Sequence, residues 1–467
     1  MTDRQPLPIR STISMVLAIA ISVAAGWLTN VMGGTGALLA VIPGVVISVL
    51  WSLRRRHRRD PEGTWTDQRV RRHELWAVAL GVLVAAILWN GVSLARYVSR
   101  NDGDAMSQKA ATWARDHGLG SVIDYLEAKV YSTPPSKEPA TDLGLATAST
   151  VPGAASDSSV PDSTVPGSSV PGGTAPGATT VPALSPPPPL TPVFSPPLKG
   201  EGKWTPVASA DGVEAMWATS MRPLSTAGGV VGSMVVIDQT HLRAGMFNGT
   251  ELPGGTWKRG SRVPKNLQPA LVAAMNGGFR FDHIRGGYMT EGKVVKPLRK
   301  GDATLAIDRS GRMVLGVLGH DMENDGTWAS MRQNLELIVV HGRSNVRAGI
   351  AHGVWWGADN GNAVYVKRSA VCTVADGRLA YVMVNPVDAE QLAQSLIAMG
   401  CVNAMQMDIN VDWPLFTTFT HDTGVAVPHF VDKRMTGNVR RSLDGSTKDF
   451  FAFFDATLVP TGSALDA

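Results

Sequence analysis

The chain has 467 residues, with 43 Lys and Arg against 39 Asp and Glu, a formal charge of +4 and two cysteines; its pI is near 9.1. A basic pI by itself suggests nucleic acid, but the placement of the charge argues against such a footprint. Residues 54–72 hold eight Arg against three acids, whereas residues 201–467 hold 26 basic and 25 acidic residues, close to balance.

Three apolar stretches open the chain: Ile13 to Leu28, Ala37 to Leu53, and Leu75 to about Tyr97. Each approaches the roughly 20 apolar residues that cross a bilayer core. A cleaved signal peptide fits less well, because the stretches follow one another with no clear cleavage site between the first two. The Lys/Arg rule keeps the Arg-rich loop cytoplasmic, and three spans then carry the chain after about residue 98 outside. Residues 1–98 are therefore expected to form three transmembrane helices of a multi-pass cell-membrane protein with an extracytoplasmic C-terminal domain.

Residues 99–133 are expected to be a juxtamembrane helical segment, with Trp113, Val122, Ile123, Leu126 and Val130 on a loose helical period. Residues 134–200 are rich in Pro, Ser, Thr, Ala and Gly, with "VPG" at Val151, Val165 and Val170 and a proline run after Ser185. That composition buries too little apolar surface to fold, so a disordered linker is expected.

Order resumes near Trp204, and residues 201–467 read as one α+β domain with mixed sheets and few helices. Strand-like runs begin at Ser233, Ala303, Arg312, Leu335 and Arg378, separated by turns such as Asp308–Gly311 and Asp376-Gly377. Asp388 caps one helix, Leu392, Leu396 and Met399 form its stripe, and Gly400 ends it before a buried strand. Cys372 and Cys401 fit either a disulfide or two buried thiols.

Several residues are candidates for chemistry. Asn276-Gly277-Gly278 follows a strand-like run; the glycines allow positive φ or close approach of a ligand, and Asn276 offers donors and acceptors to hydroxyls or phosphate. The alternative is a tight turn that caps its own backbone. Arg299, Arg332 and Arg368 carry forked donors that grip phosphate at two points, although most arginines only solvate a surface. His320-Asp321 reads as a proton-transfer pair or a loop pair. Asp408 ends a very apolar strand, and strand alternation places Asn410 on its side with Asp412 next. Such spaced oxygens suggest calcium, but the Gly and closing Glu of a calcium loop are missing, so no metal is expected. No cofactor is expected either. Trp413 reads as a sugar-stacking platform or a core aromatic.

The stretches "AAMNGGF", "RSAVCTVADGRLAYVMVN" and "LAQSLIAMGCVNAMQMDIN", in this order, resemble the phosphodiester glycosidase domain family over roughly residues 225–457. "GGYMTEGKVVKPLRKGDA" and "RQNLELIV" support the resemblance, and the layout of spans, tether and domain is similar to membrane-anchored actinobacterial forms. The resemblance implies hydrolysis between a sugar's anomeric carbon and a phosphodiester oxygen. Arg368, Asp408 and Asn276 lie in the matching segments; on this reading Arg332 and Arg368 would hold the phosphate, Asp408 would be the base or nucleophile, and His320 or Asp321 would assist proton transfer. Asn276, Gly277, Gly278, Arg299, Asn410 and Trp413 would complete the substrate site. The chain departs from the family after the strand Asp, where Ile409-Asn410-Val411-Asp412-Trp413 replaces a Gly-rich, Ser-containing turn, and Ser369 stands where Thr is expected. The function expected is extracytoplasmic hydrolysis of a sugar-1-phosphodiester bond in a cell-envelope glycan or glycan-phosphate polymer, at the membrane and without nucleic acid. Its alternatives are a non-catalytic glycan-binding or scaffold protein of envelope polymer assembly and, on the tether alone, a structural stalk.

Overall fold

The structure is a computed structural model. It describes residues 86–100, 106–120, 122–123, 125–126, 134–145, 185–347, 356, 365–409, 412–421 and 424–466. The chain divides into two compact units, Met1–Arg100 and Asn101–Ala467.

In the first unit the described helical residues are 86–98. No helix among the described residues is long and apolar enough to cross a membrane. This corrects the expectation of three transmembrane helices and of a multi-pass location. The first two apolar stretches, and residues 75–85 of the third, lie outside the described residues.

The second unit opens with a helix, Met106–Ala114, that passes into a π-turn at Arg115–Leu119. Its body is three β-rich sheets with few helices, the strands numbered here in chain order. The eight-stranded sheet runs β1 (Thr205–Ala210), β2 (Val213–Met221), β3 (Val231–Ile237), β14 (Leu379–Val387), β13 (Val366–Thr373), β15 (Asn403–Ile409), β11 (Val339–Val340), β12 (Arg343–Ser344). One five-stranded sheet runs β7 (Lys293–Lys296), β6 (Tyr288–Thr290), β10 (Trp328–Gln333), β8 (Ala303–Asp308), β9 (Met313–Val317). The other runs β17 (Val427–Phe430), β16 (Phe416–Thr420), β5 (Leu271–Asn276), β18 (Phe450–Asp455), β4 (Leu242–Phe247).

The strands read as near-continuous apolar runs because both faces of the sheets are covered. In β18, Phe451 and Phe453 enter the core shared by the three sheets, beside Met246, Met275 and Met405. Phe450 and Phe454 point the other way and pack with Phe247 and Leu271. β14 alternates likewise, Tyr381 and Met383 on the shared core, Val382 and Val384 beneath the helix Ala389–Ala398. That helix starts as the sequence predicts, with Asp388 and Gln391 forming a reciprocal capping box.

Cys372 and Cys401 form a disulfide with Cα atoms 5.7 Å apart, tying β13 to the turn after this helix. The described ends of the linker lie against the domain. Ala140 N donates to Gly228 O at 2.8 Å, Gly229 N to Ser136 O at 2.9 Å, and Leu190 N to Gly202 O at 2.9 Å. Residues 146–184 lie outside the described residues.

Candidate functional site

The site begins at an irregularity in β15. Ala370 of β13 pairs with Gln406, but Arg368 pairs with Ile409, so β15 carries one extra residue opposite Ser369. Such a bulge breaks strict alternation and re-aims side chains. Met407 accordingly enters the shared core, whereas Ile409 joins the cluster beneath the helix. Ser369 Oγ holds the bulge by donating to Asp408 O at 2.8 Å.

The Asp408 carboxylate is buried and ion-paired with Lys448 Nζ, and it also accepts from Ile409 N at 2.8 Å. Burial pushes the Asp408 carboxyl above its ordinary range, and the Lys448 ammonium only partly opposes it. Burial likewise pushes Lys448 down against the pull of Asp408. The two groups move toward one another on the pH scale, which is the condition for passing a proton between them.

Lys448 and Asp449 lead into β18, whose burial on both faces draws the two charges inside with it. Asp449 is ion-paired with Arg332, whose Nε donates at 2.9 Å. Arg332 is fully buried, and its other donors go to the backbone oxygens of Gln333 and Phe279.

Asn276, at the end of β5, stitches two sheets together. Its Oδ1 accepts from Tyr381 Oη at 2.9 Å and from Leu415 N at 3.2 Å; its Nδ2 donates to Ser369 Oγ at 3.2 Å and to Gly277 O at 2.9 Å. These four bonds fill the amide's capacity. Asn276 therefore acts on Asp408 through Ser369. Gly277 and Gly278 have no positive φ. Their need is space: a Cβ on Gly277 would collide with Asp449 Oδ2, and one on Gly278 with Asn334 Oδ1.

A small pocket opens beside these groups, with Asn276, Thr417, Trp413, Arg441, Ser446 and Asp449 in its lining. Trp413 is half-buried, with Lys448 Nζ 4.4 Å and Arg441 Cζ 4.1 Å from its ring centroid. Among the described residues, no three His, Cys, Asp or Glu side chains gather as metal ligands.

Residues 270–408 match the phosphodiester glycosidase family. The match runs from the start of β5 to Asp408 and supports a hydrolase acting on a phosphodiester-linked sugar. No curated protein matches the chain. Among solved structures, the chain is similar to the zebrafish N-acetylglucosamine-1-phosphodiester α-N-acetylglucosaminidase catalytic domain auto-inhibited by pro-peptide. That similarity has 14% identity and a TM-score of 0.34 over 52% of this chain and 86% of that one. A hypothetical protein from Synechocystis is similar at 10% identity and a TM-score of 0.34, over 54% of this chain and 64% of that one.

The remaining candidates scatter. In the phosphodiester glycosidase segment, Arg368 is buried, donating to Val387 O and Trp356 O at 2.9 Å each and to Gln406 Oε1 at 3.3 Å. Burial lowers its pKa to about 10. Its guanidinium braces the strands on both sides of the irregular register, a use that residue type alone does not reveal. Arg299 is largely exposed, 4.0 Å from Asp302. His320 is 81% exposed and bonds to Asp321 at 2.6 Å in the turn after β9, a surface pair with no contact to Asp408, Lys448 or Asp449 among the described residues. Asn410 lies outside the described residues. Sequence reasoning missed Lys448, Asp449 and Arg441. The first two had a signal, since "TKDFFAFF" sets adjacent charges directly against an apolar strand.

Proposed function

We propose that the domain hydrolyses a sugar-1-phosphodiester bond, outside the cytoplasm, in a cell-envelope glycan or glycan-phosphate polymer. The observation that carries the reading is the buried Asp408–Lys448 pair beside the pocket, at the end of the phosphodiester glycosidase segment. The bond between the anomeric carbon and the phosphate oxygen breaks. Water supplies hydroxyl to the sugar and a proton to the oxygen, leaving a free sugar and a phosphomonoester. Asp408 serves as base or nucleophile, and Lys448 takes or returns its proton. Asp449 is the second carboxylate, fixed by Arg332 on the pocket wall. The Cys372–Cys401 disulfide supports an oxidising compartment.

The test incubates the full chain with a panel of sugar-1-phosphodiesters and reads free reducing sugar, with Asp408→Asn alongside. We expect release by the native chain and a loss of about 100-fold or more in the variant. Equal turnover by both would remove Asp408 from the chemistry. A non-catalytic glycan-binding reading rests on Trp413, which stands on the pocket wall; glycan bound without release would favour it.

A further inference from the structure

We infer that Trp413 is a positioning residue for the Asp408–Lys448 pair, its ring holding the Lys448 ammonium against the carboxylate. This rests on the proposed reading that Asp408 acts on the sugar-phosphate bond. Lys448 Nζ pairs with the Asp408 carboxylate and lies 4.4 Å from the centroid of the Trp413 ring. Both charged groups are buried. Burial presses Lys448 toward its neutral form and Arg280 adds to this, while Asp408 and Asp449 oppose it. The face of an indole ring attracts a cation, and most strongly where water is excluded. It also neither gives nor takes a proton, so the ring steadies the ammonium without competing with Asp408 for its proton. The neighbouring carboxylate, Asp449, is engaged by Arg332.

One frame places both the ring and the carboxylate. Just beyond Trp413, Leu415 N donates to Asn276 Oδ1 at 3.2 Å, and Asn276 N donates to Leu415 O at 3.3 Å. Asn276 Nδ2 donates to Ser369 Oγ at 3.2 Å, and Ser369 Oγ donates to Asp408 O at 2.8 Å. Asn276 thus fixes the turn that carries Trp413 and the bulge that carries Asp408 from one point. The turn has a second anchor. Gly437 has φ +94, and a Cβ on it would meet Asp412 O at 2.8 Å, so the glycine lets its segment pass close over Asp412. From that segment Arg441 Nη1 donates to Asp412 O at 3.3 Å, and Arg441 Cζ lies 4.1 Å from the Trp413 ring centroid. A ring held at both ends fixes the ammonium in place, whereas a loose ring would follow it.

An infrared pH titration of the full chain tests this; the carboxyl band of Asp408 is the one lost in Asp408→Asn. Trp413→Leu removes the attraction of the ring for the ammonium. Lys448 then opposes the burial of Asp408 less, and the Asp408 midpoint should rise by about one pH unit. Trp413→Phe should raise it less, because a smaller ring still attracts a cation. A fluorinated tryptophan at position 413 keeps the shape but draws charge from the ring face. It should raise the midpoint too, which a purely steric role of the ring would not do. In Lys448→Gln, where no ammonium remains, Trp413→Leu should add no further rise. Near-UV circular dichroism checks that each variant is folded; if Trp413→Leu does not fold, Trp413→Phe and the fluorinated ring carry the test. A midpoint that stays in place in the folded Trp413 variants, or a rise as large without Lys448 as with it, would overturn the inference. A raised midpoint with no sugar released by the native chain would leave the role of Trp413 standing and the glycosidase reading fallen. Sugar release that needs Asp408, with the midpoint unmoved in the Trp413 variants, would do the reverse.

Discussion

Asp408 and Lys448 share one buried enclosure, so removing either charge acts on the other. Burial holds the Asp408 carboxyl above its ordinary range while Lys448 pulls it down. If catalysis needs Asp408 ionised, activity rises with pH through a value above that of a free aspartate. Lys448→Gln deletes the opposing cation, so the acid limb of kcat/KM should move to still higher pH. An acid limb that stays in place would show that another group titrates. The same change strands a buried carboxylate at a cost of about 3–5 kcal/mol, so the profile belongs well below the lowered melting point. Of this constellation, Asp408 was legible as a charge ending an apolar strand. Its partner was not, because Lys448 lies 40 positions away in sequence, and nothing local ties it to β15. The glycines after Asn276 were legible as special positions but not in their purpose. Only the packing shows that Asp449 and Asn334 occupy the space a side chain would need.

Strands and helix carry those residues to their places. The helix Ala389–Ala398 was readable in full from cap, stripe and terminating glycine, all of them local signals. The bulge opposite Ser369 was not readable, since register is a relation between two strands and alternation presumes that none is broken. The disulfide stood open in the sequence for the same reason. It joins β13 to the turn before β15 across a separation of 29 residues. A loop of that size gives about 3–4 kcal/mol in the chain-entropy account. Guanidinium unfolding should therefore show a lower midpoint in reductant. Coincident curves would mean that the two sulfurs are not bonded.

At the scale of the molecule, the domain reaches back into the segment that composition assigns to a linker. Leu190 packs against the cluster beneath the helix, and Trp204 Nε1 donates to Pro188 O at 3.0 Å. Glu201 pairs with Arg222 at 2.6 Å while accepting from Leu198 N at 2.8 Å. A chain beginning at Glu201 should be less stable than one beginning at Ser185 by about 1 kcal/mol, the worth of a partly buried leucine. Thermal melts of the two compare them directly; equal melting points would show that the contacts contribute nothing. By itself the sequence determined what depends on neighbours along the chain: the sheet-rich class, the capped helix, the order of the family segments and the carboxylate at a strand end. Tertiary structure decided which charges meet, which arginines turn inward and which one lines the pocket. Those outcomes depend on register, burial and contacts between residues far apart in sequence, and a linear pattern does not carry them. The apolar N-terminal stretches mark the opposite limit, where hydropathy alone predicted spans and no helix among the described residues is long and apolar enough for one.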